Sequence, residues 1–335
     1  NQRTAGEDSR KEGGKVFGGG SRATVAISLL VKDPGKPGPA TIYYTEVADY
    51  LTREEKLSRL AAAASVAGLT SREISPNEHG DWLSQRRDDF GEFISLGSKG
   101  RAEPCVFGTY SGGLSTARDA WAYNSSRAEQ VSNTTRLIAN YEALLVDTLS
   151  STSSDPTRIS WSTVLRSLFD RRRTVQYRAD EVVPATYRPF FRQWSYREPA
   201  LVHSAYRQRE LFPRLSLSNS GYYVLNPGAA KPFSVLALGT TPDLAFFGSN
   251  AGQFYARWRY EKSDTGGGNS TLDFGSDENA RAVDGYRRID NITDEALGRF
   301  QAAYGHSFTK DDIFFYVYGL MHSPEYRETY AADLK

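Results

Sequence analysis

RRRTVQYRADEVVPATYRPFFRQWSYR, from Arg171 to Arg197, mixes arginine with aromatic and β-branched residues in a chain that is close to neutral. Between Arg158 and Arg214 there are twelve Arg, no Lys and five acids (Asp170, Asp180, Glu181, Glu198 and Glu210), an excess of seven positive charges. The whole 335-residue chain carries +1, so everything else must be net acidic. Such asymmetry is the footprint of a polyanion-binding face. In FRQWSYR, strand alternation puts Arg192, Trp194 and Tyr196 on one side. The helix signals before Arg171 and the strand signals after it make this the point where a helical first half gives way to strands.

Working outward, a short helix carrying Trp161, Val164, Leu165, Leu168 and Phe169 precedes the stretch, and STSSDPT at Ser151–Thr157 is a polar break that suits a domain boundary. Upstream, Ser126 and Glu129 have capping-box spacing ahead of a helix with Val131, Leu137, Ile138, Tyr141, Leu144 and Leu145 on one face. Thr52 and Glu55 repeat that spacing before a second helix reaching about Ala67. Residues 23–32 and 41–47 read as strands of a hairpin around the loop KDPGKPGPA. Downstream, QFYARWRY places Tyr255, Arg257 and Arg259 on a basic outer face opposite Phe254, Ala256, Trp258 and Tyr260. Helices return from about residue 291, starting at Thr293, at Thr309 with Asp312, and at Ser323-Pro324.

The composition is that of a globular protein with apolar mass for two or three packed units. The longest apolar run, Ala23–Val31, is far short of the roughly 20 residues that cross a bilayer, and no leader pattern opens the chain, so a cytoplasmic protein without a membrane partner is expected. One cysteine, Cys105, excludes an internal disulfide and a multi-thiolate zinc site. The first residue is Asn1 and the sole methionine is Met321, which suggests a piece of something longer.

Most catalytic patterns fail on inspection. VFGGGSRA at Val16–Ala23 lacks the G-K-[ST] of a phosphate loop and is followed by strand-like residues rather than a helix. TYSGGLST lacks the spacing of a nucleophile elbow. His322 sits in an aromatic helix and reads as a packing residue.

The basic stretch is the better candidate. Arginine offers a fork of donors to phosphate or guanine and stacks on aromatic rings, so Arg among Tyr and Trp suits nucleic acid. Structural readings remain open beside it, since Arg171, Arg172 and Arg173 follow a helix whose C-terminal dipole they could complement, and others could pair with nearby acids. Two further function classes stay open as well: a small hydrolase using Asp119, His203 or Ser111, and a protein-docking module whose Tyr/Arg surface meets an acidic partner.

NQRTAGEDSRKEGGKVFGGGSRATVAISLLVK (1–32), TYSGGLSTARDAWAYNSSR (109–127), ATYRPFFRQWSY (185–196), KPFSVLALGTTPDL (231–244) and DDIFFYVYGLMHSPEYRETYAADLK (311–335) resemble, in this order, the C-terminal part of type ISP restriction-modification enzymes. The resemblance implies an α/β and α+β architecture. Residues 1–50 would be the last strands of an adenine-N6 methyltransferase sheet, 51–150 a helical connector, and 151–335 a mixed α+β target-recognition domain ending in a helical bundle. It further implies double-stranded DNA and the remaining domains of the same polypeptide as partners. S-adenosylmethionine, ATP and Mg2+ would be cofactors of the parent enzyme and not of this segment. Neither NPPY nor DPPY occurs, LNPGA at Leu225–Ala229 being the nearest, and there is no Walker motif, so the segment alone is expected to be inactive. The expected DNA contacts are Arg171, Arg172, Arg173, Arg188, Arg192, Trp194, Tyr196, Arg197, Arg257 and Arg259, with Arg172 on phosphate and Arg192, stacked on Trp194 and Tyr196, on a base edge.

Overall fold

The computed structural model describes residues 7–16, 26–100, 103–146, 155–229, 231–248, 252–263 and 282–335. Most of the glycine-rich run, from Phe17 to Ala23, and Ser151–Ser154 of the polar break lie outside the described residues. The chain divides into two compact units, Asn1–Arg86 and Arg87–Lys335.

The first unit holds helices α1 (Glu7–Glu12) and α2 (Arg53–Ala63) and strands β1 (Ile42–Tyr44) and β2 (Arg72–Ile74). α2 starts where its capping box requires. The Thr52 hydroxyl accepts from the Glu55 amide at 3.2 Å while the Glu55 carboxylate accepts from the Thr52 amide at 2.7 Å, satisfying two otherwise orphaned donors. Among the described residues the expected hairpin is not formed. β1 pairs antiparallel with β2, Ile42 opposite Ile74, and the described residues 26–32 carry no strand. Ile27, Leu29, Leu30 and Val31 are exposed. A run of consecutive apolar residues has no period-two face, and among the described residues of this unit none is buried, so no second layer exists to receive it.

Among the described residues, the second unit is organised by three sheets. β3 (Tyr123–Asn124), β5 (Phe191–Tyr196), β4 (Val182–Arg188) and β8 (Thr241–Pro242) lie side by side in that order. A second sheet has the order β7 (Val235–Leu238), β6 (Gly221–Leu225), β9 (Gly252–Ala256), and β10 (Trp258–Lys262) pairs with β11 (Tyr286–Asp290). Short helices α3 (Asp119–Ala122) and α6 (Gln208–Leu211) fill connections.

The opening stretch is thus the β4–β5 hairpin together with its lead-in. Helices α4 (Arg127–Val146) and α5 (Thr163–Asp170) pack on it, with Leu137, Tyr141, Leu144, Leu165 and Phe169 meeting Val182 and Tyr196 in one core. Residues on both sides of position 150 therefore share a core, and the compact units divide at 86/87 rather than near 50 or 150. The amphipathic face expected for α4 is the buried one: Leu137, Ile138, Tyr141 and Leu144.

Helices α7 (Asp294–Tyr304), α8 (Lys310–His322) and α9 (Pro324–Thr329) start at the expected caps, Thr293, Thr309 and Ser323. They do not close on themselves as a free-standing bundle. Ile313, Phe314, Val317 and Met321 of α8, with Ala296 and Phe300 of α7, bury against Tyr222, Val224 and Tyr255 of the three-stranded sheet. His322 packs edge-on against Tyr318, with ring centroids 4.6 Å apart. No helix among the described residues is long and apolar enough to cross a membrane.

Candidate nucleic-acid interface

The arginines of the basic stretch fall into three physical groups. The first is buried structure. Arg197 is 1% exposed, donates through Nε to Glu181 at 3.1 Å and through Nη2 to the Pro213 carbonyl at 3.1 Å, and its Nη1 donates to the Phe212 carbonyl. Arg209 donates to the other oxygen of Glu181. Burial pulls the Arg197 pKa down and the Glu181 charge holds it up, so two cations share one buried acid.

The second group is paired at the surface. Arg178 and Arg214 meet Asp180, at 3.4 and 2.7 Å, and Arg207 meets Glu210 at 2.7 Å. Arg188 donates to the buried carboxylate of Asp243 and to the Tyr187 carbonyl at 2.6 Å, lying 4.0 Å over the Tyr187 ring. The third group is Arg158, Arg171, Arg173 and Arg192, whose side chains are exposed and have no ion pair or hydrogen bond among the described residues, while Arg166 lies 3.9 Å over the Trp161 ring.

Arg172 belongs with structure rather than with the free group. α5 ends in a Schellman turn, in which the Arg172 amide donates to the Phe169 carbonyl at 2.9 Å and the Arg173 amide to the Leu168 carbonyl at 3.0 Å. Arg172 sits at φ 52°, where glycine is usual, and its guanidinium caps α4 by donating to the Leu145 carbonyl at 2.6 Å. The helix-end alternative for this cluster therefore applies to Arg172, through a direct hydrogen bond rather than through the dipole of its own helix.

The aromatic partners are also internal. Tyr196 is 2% exposed, stacks on Tyr177 at 5.8 Å and accepts from the Arg178 amide at 2.9 Å. Trp194 is half-buried against the α4–α5 core and carries Arg127, not Arg192, over its ring at 5.6 Å. β5 runs from solvent into the core, so the alternation that puts residues 192, 194 and 196 on one side does not put all three at the surface.

The basic outer face expected for QFYARWRY is absent because the strand breaks there. Arg257 lies between β9 and β10, is 5% exposed, and donates to Asp290 at 2.7 Å and Asp311 at 2.6 Å above the Trp258 ring. Arg259 is spent on Glu261, whose pKa it holds down by that hydrogen bond. Nor is the opening stretch one contiguous patch. The Arg171–Arg173 group adjoins the C-terminal end of α4, whereas Arg127 at the opposite end of that helix lies over Trp194 of the hairpin. Twenty residues of helix separate the two places by about 30 Å.

No hydrolytic centre assembles from the residues considered for one. The Ser111 hydroxyl donates to the Gly112 carbonyl at 2.8 Å and accepts from the Arg207 amide at 3.1 Å. Asp119 accepts from Thr116 and, at 2.9 Å, from the Tyr187 hydroxyl, while His203 is exposed and bonded to neither. The glycines of TYSGGLST have a packing role instead. A Cβ on Gly113 would lie 2.2 Å from the Asp243 carbonyl oxygen, so glycine lets this segment press against the one that holds Arg188.

What remains exposed on the hairpin is its tip. Arg188 pairs with Phe191 across a two-residue link of Pro189 and Phe190, and Phe190 is 87% exposed. Nothing in the charge pattern marks Phe190; the dipeptide Arg188-Pro189 after a β-branched run is the turn signal that could have located it.

No curated protein matches the chain. Among solved structures, a nuclease-deletion mutant of the Type ISP restriction-modification enzyme LlaGI in complex with a DNA substrate mimic matches 100% of this chain at 30% identity with a TM-score of 0.71. The ATP-dependent Type ISP restriction-modification enzyme LlaBIII bound to DNA matches 99% at 28% identity and 0.73, and the DrdV–DNA complex 100% at 26% and 0.73. The chain spans 29%, 20% and 31% of those three chains. Residues 105–335 match the model of the Type ISP C-terminal specificity domain, which is more than half of the sequence, and the chain belongs to that family.

Proposed function

We propose that this chain recognises a specific sequence in double-stranded DNA on behalf of a single-chain restriction-modification enzyme. The observation that carries the reading is the whole-length likeness to enzymes whose structures are complexes with DNA, at 26–30% identity. Arg171, Arg173 and Arg192, which have no internal partner among the described residues, supply what such a surface needs: free guanidinium groups for phosphate or base edges.

The larger enzyme would methylate adenine at N6 and use ATP to translocate on and cleave DNA. S-adenosylmethionine, ATP and Mg2+ would be handled by other segments, because this sequence carries neither NPPY or DPPY nor a Walker motif. Residues 1–50 are read as the end of the methyltransferase domain. Supporting this, the described residues of the first unit include no buried one, whereas a domain that folds by itself has its own core. The other domains of the polypeptide are accordingly the second partner.

The test is selection of duplexes from a random library by the purified chain. Enrichment of one sequence motif supports the reading. Recovery of no duplex above background contradicts it.

A further inference from the structure

We infer that Phe190 is an apolar wedge that enters the duplex between base pairs, carried on the β4–β5 hairpin. This deepens the DNA-recognition reading and rests on it.

The hairpin is built as a rigid root with an unsatisfied tip. A one-residue register shift between Thr186 and Arg188 places Tyr187 in a bulge, and bulges re-aim side chains. Tyr187 turns inward, its ring 4.7 Å from that of Tyr123 and its hydroxyl bonded to Asp119 at 2.9 Å. Arg188 is held by Asp243, and Thr186 faces β8 through a hydroxyl contact of 2.6 Å with Thr240. Both sides of the root are thus tied to other segments, which is the preorganisation a binding element needs.

At the tip, Phe190 occupies φ 65°, a region that bulky L-residues avoid, and presents its ring to solvent. A polar residue or glycine would serve the turn better, so the position costs the free protein in both conformation and exposure. Phe191 beside it is half-exposed, and Arg192 follows with its guanidinium free. From Val182 to Tyr196 the hairpin contains no acid.

That last point selects the occupant. Phe315, on α8, is also exposed, but Asp311 and Asp312 precede it by one helical turn and would repel a phosphate backbone. The hairpin instead joins an exposed aromatic to an unpaired cation. Two-stranded ribbons enter either groove of duplex DNA, and phenylalanine is among the side chains that proteins insert at base steps from the minor groove.

The experiment uses the full chain, a duplex enriched from a random library, and the variants Phe190→Ala, Phe190→Trp and Arg192→Ala. Affinity is read by fluorescence polarisation at several salt concentrations. Base unstacking is read from 2-aminopurine placed at each position in turn. Wild type should raise 2-aminopurine fluorescence at one step. Phe190→Ala should bind about 10-fold more weakly, as loss of one aromatic–base contact implies, with an unchanged salt slope and no fluorescence rise. Phe190→Trp should restore both, and Arg192→Ala should keep the rise while flattening the salt slope. Phe190 is nearly fully exposed, so folding of its variants is unaffected. DNA binding by wild type without a fluorescence rise at any position, or a rise that persists in Phe190→Ala, overturns the wedge and leaves the recognition reading intact. Failure of wild type to bind any duplex overturns both.

Discussion

The guanidinium of Arg188 donates to the carboxylate of Asp243, an acid that is 4% exposed and 55 positions further along the chain. The pair locks the end of β4 to the segment after β8, with Asp243 also accepting from the Tyr123 hydroxyl at 3.2 Å and the Ala245 amide at 2.8 Å. Burial raises the Asp243 pKa above its ordinary 3.8, and Arg188 pulls it back. A carboxyl whose folded pKa is raised adds stability below its unfolded value and loses that contribution as pH rises through the folded value.

Removing the counter-charge should enlarge this effect. Arg188→Ala is expected to cost about 2 kcal/mol at pH 7, below the range for a fully buried pair because Arg188 is one-third exposed. The loss should shrink as pH falls through the raised pKa of Asp243, where the carboxyl becomes neutral and is cheaper to bury. Urea denaturation midpoints at pH 7 and pH 5 check this. A loss of equal size at both pH values contradicts it.

Arg192 and Arg197 lie five positions apart and should behave in opposite ways. Arg197→Ala leaves buried carbonyls and part of Glu181 without a donor, so stability should fall by about 3–5 kcal/mol. Arg192→Ala touches no internal partner and should change stability by less than about 0.5 kcal/mol while weakening DNA binding. Paired denaturation and binding titrations would show the dissociation. A binding defect without a stability defect in Arg197→Ala contradicts the assignment.

At Arg172 the backbone and the side chain pull in different directions. Arg172→Ala keeps the strained φ and loses the cap on Leu145, an expected cost of about 1 kcal/mol. Arg172→Gly loses the same hydrogen bond but suits the left-handed position, so its net effect should be smaller. Neither should alter the salt dependence of DNA binding, whereas Arg171→Ala and Arg173→Ala should each lower the log–log slope by about 0.9 if they meet phosphates. Thermal denaturation and salt titrations decide it.

The segment alone should transfer no methyl group from S-adenosylmethionine to DNA, since the sequence contains no NPPY or DPPY tetrapeptide to hold the target amino group. Incorporation of labelled methyl into duplex DNA by the purified chain contradicts this.

Local signals in the sequence translated directly into structure. The caps at Thr52, Ser126, Thr293, Thr309 and Ser323 and the buried face of α4 are set by residues within one or two turns of each other. Charge was legible as a total but not as a surface. Glu181 and Asp243 decide that Arg197 and Arg188 face inward, and Asp290 and Asp311 do the same for Arg257, but those pairings arise only once distant strands meet. The Schellman turn at Arg172 has no mark in the sequence because the glycine that usually signals it is missing. The likeness of five sequence blocks to the type ISP enzymes carried the family, which composition and periodicity could not.

Sequence-specific recognition of duplex DNA is tested most directly by titrating the chain against its enriched duplex and a random duplex of equal length, at salt from about 50 to 200 mM. Both affinities should fall with salt, as phosphate contacts require, and the enriched duplex should stay tighter by about 1,000-fold or more throughout. Equal affinity for the two duplexes, or binding to neither, contradicts the account.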